Sequence, residues 1–192
     1  MIRLVGFAGS LRRGSYNRML LEAAARAVPS GAALEIFPID DIPLYNADIE
    51  NSSGVPHAVA TLKDGIRAAD GLVIATPEYN NSIPGVAKNV IDWLSRPPSD
   101  VPHVLRGKLV ALIGATPGGG GTMLAQAAWL PVLRTLRMRL WTGGGPFYVS
   151  QAAKSFDDTT LTDPDVEKRL QDYLAAFVDE LRRASSASHS DP

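Results

Sequence analysis

Apolar and polar positions along the chain fall into two kinds of segment that alternate. Continuous apolar runs occur at 2–8 (IRLVGFA), 33–39 (ALEIFPI), 71–76 (GLVIAT) and 109–115 (LVALIGA), with a less regular one at 139–149 (RLWTGGGPFYV). Runs of this length that lack polar alternation predict strands covered on both faces, as in a parallel sheet. Between them, helical spacing predicts helices over 17–28, 53–69, 84–94, 122–137 and 163–183. In the third of these, Val86, Val90, Ile91 and Leu94 share one face while Lys88 and Asn89 point elsewhere. The last opens on Asp163-Pro164, an N-cap residue followed by a first-turn proline, and carries a stripe of Val166, Leu170, Leu174, Phe177 and Leu181. Pro131 interrupts the fourth and predicts a kink or a fresh start there.

Five strand and helix alternations predict an α/β fold, an open doubly wound sheet of five parallel strands with helices on both faces and right-handed crossovers. The chain has 192 residues, which fits one domain, here 1–184. Residues 40–56 read as a long loop between the second strand and the second helix, and 185–192 as a disordered tail.

Composition narrows the chemistry. With 45% hydrophobic and 20% charged residues the chain is an ordinary globular one. A formal net charge of −1 gives no global attraction to nucleic acid or to an anionic membrane, so any anion recognition must be local. The sequence contains no cysteine, which removes disulfides, thiolate ligands and cysteine nucleophiles. No run reaches the ~18 apolar residues of a membrane span and no leader pattern precedes the first strand; a cytoplasmic protein is expected. His57, His103 and His189 are isolated from one another, and no G-x-S-x-G elbow occurs, so neither a metal site nor a Ser/His/Asp hydrolase is expected.

Open α/β sheets bind ligands beyond the carboxyl ends of their strands, near the point where strand order reverses. The loops there read GSLRRGSYN (9–17), PEYNNSIPG (77–85) and TPGGGGT (116–122). The first has the glycine spacing of a triphosphate-binding loop, but Ser15-Tyr16 stand where Lys and Ser/Thr are needed, and its spacing also misses the dinucleotide pattern G-x-G-x-x-G. What remains is a set of donors around one helix start: Ser10, Ser15, Asn17, Arg12 and free backbone N–H groups, suited to a single terminal phosphate. In the second loop, Glu78, Tyr79 and Asn80 follow Pro77 and offer a carboxylate, an aromatic face and an amide to a heteroaromatic ring. The third loop strips away side chains where a flat ligand can approach the backbone. Each loop alone also reads as an ordinary turn, with Arg13 pointing to solvent.

Taken together, GSLRRGSYN, PEYNNSIPGVAKNVIDWLSR (77–96) and ATPGGGG (115–121) resemble the NADPH-dependent FMN reductase family of flavodoxin-like flavoproteins, which includes bacterial quinone, chromate and azo-dye reductases. The resemblance implies that Ser10, Arg12, Ser15, Tyr16 and Asn17 hold the FMN phosphate. It implies that Pro77, Glu78, Tyr79 and Asn80 line the isoalloxazine ring, with Thr116, Pro117 and Gly118 closing its pyrimidine side. Lys88, Asn89, Asp92 and Trp93 match the family's helix, in a packing or subunit-contact role. It further implies NADPH or NADH as donor, small-molecule acceptors such as quinones, flavin, azo compounds or metal anions, and a homodimer or homotetramer. Leu124 and Leu130 stand near positions where relatives carry arginines, which favours the dimer. No side-chain acid or base is expected, since the cofactor carries the chemistry. The competing expectation is a flavodoxin-type electron carrier, against which the near-neutral charge and Arg12 argue.

Overall fold

The computed structural model describes residues 1–187. In chain order the elements are β1 (Ile2–Ala8), α1 (Tyr16–Ala27), β2 (Ala32–Ile36), α2 (Ala47–Ser53), α3 (His57–Ala68), β3 (Gly71–Ala75), α4 (Gly85–Leu94), α5 (Val101–Val104), β4 (Leu109–Ala115), α6 (Met123–Thr135), β5 (Arg139–Leu140), β6 (Phe147–Val149) and α7 (Pro164–Ala187). All pairings in the sheet are parallel, in the order β2-β1-β3-β4-β5, with β6 also on β4. This is the flavodoxin-like order, and the strand sequence reverses between β1 and β3. The loops after β1 and β3 therefore flank a crevice at the carboxyl edge.

The unbroken apolar runs are explained by burial on both faces: every residue of β3 and β4 is buried. Alternate side chains serve two cores. Leu4, Val73 and Ile113 face α1 and α7, where they meet Leu20, Leu174 and Phe177. Val5, Phe7, Ile74 and Leu112 face α3, α4 and α6, where they meet Ile66, Val90 and Trp129.

Four expectations need correction. The fifth strand is split: Arg139–Leu140 and Phe147–Val149 both pair with β4, Trp141 N–H still donates to Val110 C=O at 2.8 Å, and 142–146 leave the sheet between them. Trp141 turns into the α7 core against Tyr173 and Phe177, with ring centroids 4.7 and 5.3 Å away. Gly145 closes the detour at φ +70°, a conformation that glycine takes without steric cost. Residues 40–56 are not a plain loop, because Asn46 caps the short helix α2 by accepting from Asp48 N–H at 2.8 Å. Of the kink or fresh start expected at Pro131, the fresh start does not occur: α6 runs through it, and Pro131 and Ala127, whose carbonyl loses its helical donor, are both exposed residues. The last helix continues to Ala187, three residues into the segment expected as tail, while 188–192 lie outside the described residues.

The segment 40–56 is fastened to α4 by residues of the family-like motif. Pro43 C=O accepts from Trp93 Nε1 at 2.8 Å and Asn89 Nδ2 at 2.9 Å, and Asn89 Oδ1 accepts from Tyr45 N–H at 2.8 Å. Tyr45 stands edge-on to the Trp93 ring, 5.0 Å between centroids. Its hydroxyl and Arg96 Nε both donate to Glu50 Oε2, each at 2.9 Å.

The Arg96 hydrogen bond, followed by that of Tyr45, holds the Glu50 carboxyl below its ordinary 4.5. A carboxyl with a depressed folded-state pKa stabilises the fold above its unfolded pKa, and that contribution is lost as pH falls through the folded value. Thermal unfolding measured from pH 6 to pH 3 should therefore show a gap between wild type and Glu50→Gln that is widest above pH 4.5 and narrows below it. A gap of constant size across that range would contradict the assignment.

Candidate functional site

The three loops meet at the carboxyl edge because each is tied to its neighbour. Gly9 follows β1, and its N–H donates to Ala75 C=O at 2.8 Å. A Cβ at Gly9 would lie 2.9 Å from Ala87 Cβ and 3.2 Å from Pro77 Cδ, so glycine here lets the first loop lie against the second. Asn17, the second residue of α1, is buried and clamps the third: its Nδ2 donates to Ala115 C=O at 2.8 Å and its Oδ1 accepts from Ala115 N–H at 2.9 Å. The expectation placed the Asn17 side chain on a phosphate; the structure engages it with the end of β4 instead.

The head of α1 is rich in unmatched donors. Ser15 caps the helix by accepting from Arg18 N–H at 3.4 Å. The backbone N–H groups of Arg13, Gly14, Ser15, Tyr16 and Asn17 have no protein acceptor among the described residues. Ser10 Oγ makes only long contacts, 3.4 Å to Tyr79 Oη and 3.4 Å from Arg12 N. Arg12 is exposed and has no carboxylate partner among the described residues; its guanidinium lies 5.6 Å from the centroid of the Tyr16 ring. Arg18, by contrast, pairs with Asp40 at 3.3 Å. Hydroxyls, a guanidinium and a helix start thus converge without an anion of the protein's own to satisfy them.

In the second loop Tyr79 and Ser82 exchange backbone hydrogen bonds of 3.2 and 3.1 Å around Asn80 (φ 50°) and Asn81 (φ 62°). Two positive-φ residues between paired neighbours form a type I′ hairpin, for which Asn is well suited. Asn80 is thereby explained by backbone geometry and stands outside the cleft, where the expectation had it lining a ring. Tyr79 is a 50% exposed residue. The Glu78 carboxylate turns away to α6, where Oε2 accepts from Leu124 N–H at 2.8 Å and Ala125 N–H at 3.0 Å.

The third loop is braced by a stretch that sequence reasoning missed, the exit from β6. Thr116 N–H donates to Val149 C=O at 3.0 Å, and Ala152 N–H and Gln151 N–H donate to the carbonyls of Thr116 and Gly118, both at 2.9 Å. Of its glycines, Gly121 is required, with φ +67° and the Tyr148 ring 2.3 Å from where a Cβ would stand; Gly119 and Gly120 border open space. No local motif in 148–152 signals this role, which arises from the sheet pairing of β6 with β4.

The result is one cleft of about 170 Å³, lined by all the expected residues except Asn80 and Gly118, with Ala115 in addition. Roomier hollows exist, and those of about 320 Å³ beside α6 and 140–146 and about 390 Å³ between α4 and α6 lack this convergence of free donors. No group of three or more metal-ligating side chains occurs among the described residues.

Residues 2–154 match the family model for NADPH-dependent FMN reductase. The chain belongs to that family. An FMN reductase family member is an oxidoreductase, working with FMN and with NAD(P)H as electron donor. The chain is 49% identical over 125 residues, 65% of each protein, to an NAD(P)H-dependent FMN reductase of Pseudomonas aeruginosa, so that match spans just under two thirds of the relative. It is 35% identical over 177 residues to a 2-hydroxy-1,4-benzoquinone reductase of a Burkholderia species, covering 92% of this chain and 94% of the other. Among solved structures it resembles the flavoenzyme NAD(P)H:(acceptor) oxidoreductase FerB of Paracoccus denitrificans, with a TM-score of 0.82 and 32% identity over 95% of this chain and 98% of that one. The cleft suits such a cofactor: its free donors match a terminal phosphate, and the exposed Tyr79 face and open glycines suit a flat ring.

Proposed function

We propose that this FMN reductase family member holds FMN in the cleft between its three loops and passes electrons from NAD(P)H to quinones and similar flat acceptors. The observation that carries the reading is the unmatched donor array at the head of α1, set beside the switch between β1 and β3. In this reading Ser10, Ser15, Arg12 and the backbone N–H groups of 13–17 hold the phosphate, while Asn17 keeps that array in register with the end of β4. Pro77 and Tyr79 would line the ring, with Thr116 and Pro117 closing its pyrimidine side.

Bound FMN supplies the two-electron chemistry. The lining residues would bind and orient it. The one carboxylate lining the cleft, Glu78, is engaged with α6, and no histidine lines it. In this reading the site positions the reactants and the cofactor carries the chemistry. A quinone acceptor is supported by the similarity to quinone-reducing relatives. A cytoplasmic location and a homodimer belong to the same proposal; the exposed Met123, Leu124 and Leu130 on α6 support the dimer. No described helix is long and apolar enough to cross a membrane.

Protein purified from cells, or reconstituted, should be yellow and release FMN on denaturation. Mixed anaerobically with NADPH or NADH it should lose flavin absorbance without a helper protein, and a quinone should restore it. Release of FAD, or no flavin uptake after reconstitution, would overturn the reading, and bleaching only with a partner reductase would favour the carrier. Arg12→Ala should weaken FMN binding by about 1.5 to 3 kcal/mol, the range for a hydrogen bond to a charged group. Unchanged affinity in a fluorescence titration would remove Arg12 from the phosphate site.

A further inference from the structure

Helix α6 starts without a cap of its own. Its N-cap residue, Thr122, makes no side-chain bond to the first turn, because Thr122 Oγ1 accepts from Gln126 Nε2 at 3.1 Å. The first-turn N–H groups of Leu124 and Ala125 donate to Glu78, which arrives from the loop after β3. The carboxylate thus does two things. It satisfies two donors that a helix start leaves open, and it sets a negative charge on the positive end of the helix dipole.

Where this bond sits matters for the cleft. The loop after β4 is braced at Ala115, Thr116 and Gly118 by Asn17 and the exit from β6, while Gly119 and Gly120 border open space. Its far end enters α6, and there Glu78 ties it to the opposite loop. The residue after Glu78 is Tyr79, which opens the I′ hairpin and carries the exposed ring.

We propose that Glu78 is a positioning residue for FMN: held on the first turn of α6, it fixes the gap between the loops after β3 and β4 and offsets the positive helix end beside the flavin ring. This rests on the FMN reading above. Two substitutions separate its two effects. Glu78→Gln keeps an acceptor oxygen of the same reach and removes the charge; Glu78→Ala removes both.

For Glu78→Ala, amide hydrogen exchange of the apoprotein should quicken at Leu124 and Ala125, and the FMN Kd should rise roughly tenfold or more, as for lost hydrogen bonds to a charged group. For Glu78→Gln, the Kd should change less than about threefold, a smaller loss because the acceptor is kept. The midpoint potential of its bound FMN should move to a more positive value, because reduction adds negative charge beside a helix end no longer offset. Helix capping alone would quicken exchange and leave the potential in place. Wild-type Kd and potential in both variants would overturn the proposal. If Glu78→Ala does not fold, the potential of Glu78→Gln decides alone. Wild-type protein that takes up no FMN would overturn the cofactor reading and this proposal with it, whereas normal uptake with unaltered variants overturns this proposal only.

Discussion

Trp93→Ala is expected to lower the folding free energy by about 3 to 5 kcal/mol, the range for removing a large buried aromatic side chain. Trp93 is fully buried in the α3, α4 and α6 core and is among the largest side chains so enclosed. Its loss combines the transfer cost of the indole with the cavity left behind. The Pro43 carbonyl keeps a donor in Asn89 Nδ2, so the cost comes from packing more than from a bare polar group. The second consequence is local: without the ring against Tyr45 and the bond to Pro43, the segment 40–56 loses much of its hold on α4. Urea unfolding of the apoprotein should show the lowered midpoint, and limited proteolysis should cut first within 40–56. Trp93→Phe, which keeps most of the volume, should lose clearly less. A change below ~1 kcal/mol for the alanine variant would contradict the anchoring role, given the usual size of such core truncations.

Asn17→Ala should have the second large effect, and it reaches the site directly. Both backbone groups of Ala115 would lose their partners in a buried position, at about 1 to 3 kcal/mol for each unsatisfied group. Because the same side chain locks the head of α1 to the end of β4, FMN affinity should fall at least as far as with Arg12→Ala, although Asn17 offers its amide to the protein. Asn17→Asp sharpens the point. An ionised carboxylate can still accept from Ala115 N–H but faces Ala115 C=O with no proton to donate. As pH falls and the introduced carboxyl gains a proton, the donor returns and the stability deficit against wild type should shrink. Unfolding curves for the three proteins at pH 7 and pH 4.5, with a flavin fluorescence titration at pH 7, test both halves. Wild-type stability and affinity in the alanine variant would show that the clamp carries no weight.

The reach of the sequence reading follows from what each residue does locally. The strands were legible because a sheet covered on both faces demands unbroken apolar runs, and the helices because their buried stripes recur with the helical period. The second helix was not, since ADIENSS buries no residue and so carries no periodic signal. The fifth strand looked continuous because Trp141 is apolar, but its ring fills the α7 core and the chain leaves the sheet just after it. In the site, the loops and most of their residues could be located, while partners could not. Asn17 and Glu78 were recognisable as polar groups at the right edge, but their partners lie 98 and 46 residues away along the chain and are backbone atoms with no side-chain signature. Asn80 is different: an Asn-Asn pair inside a tight loop is itself a turn signal, and its backbone role could have been read.

The interruption between Leu140 and Phe147 also bears on how the protein behaves at high concentration. An outer strand exposes a row of free N–H and C=O groups that can recruit a strand from another chain and template aggregation. Along β4 the outer position offers two residues and then three, separated by a turn that leaves the sheet plane. Neither piece is long enough to seed an extended ladder between molecules. That flank of the sheet is thus blunted by its own backbone path, and it remains so whatever the salt concentration, which a guard made only of charged side chains would not.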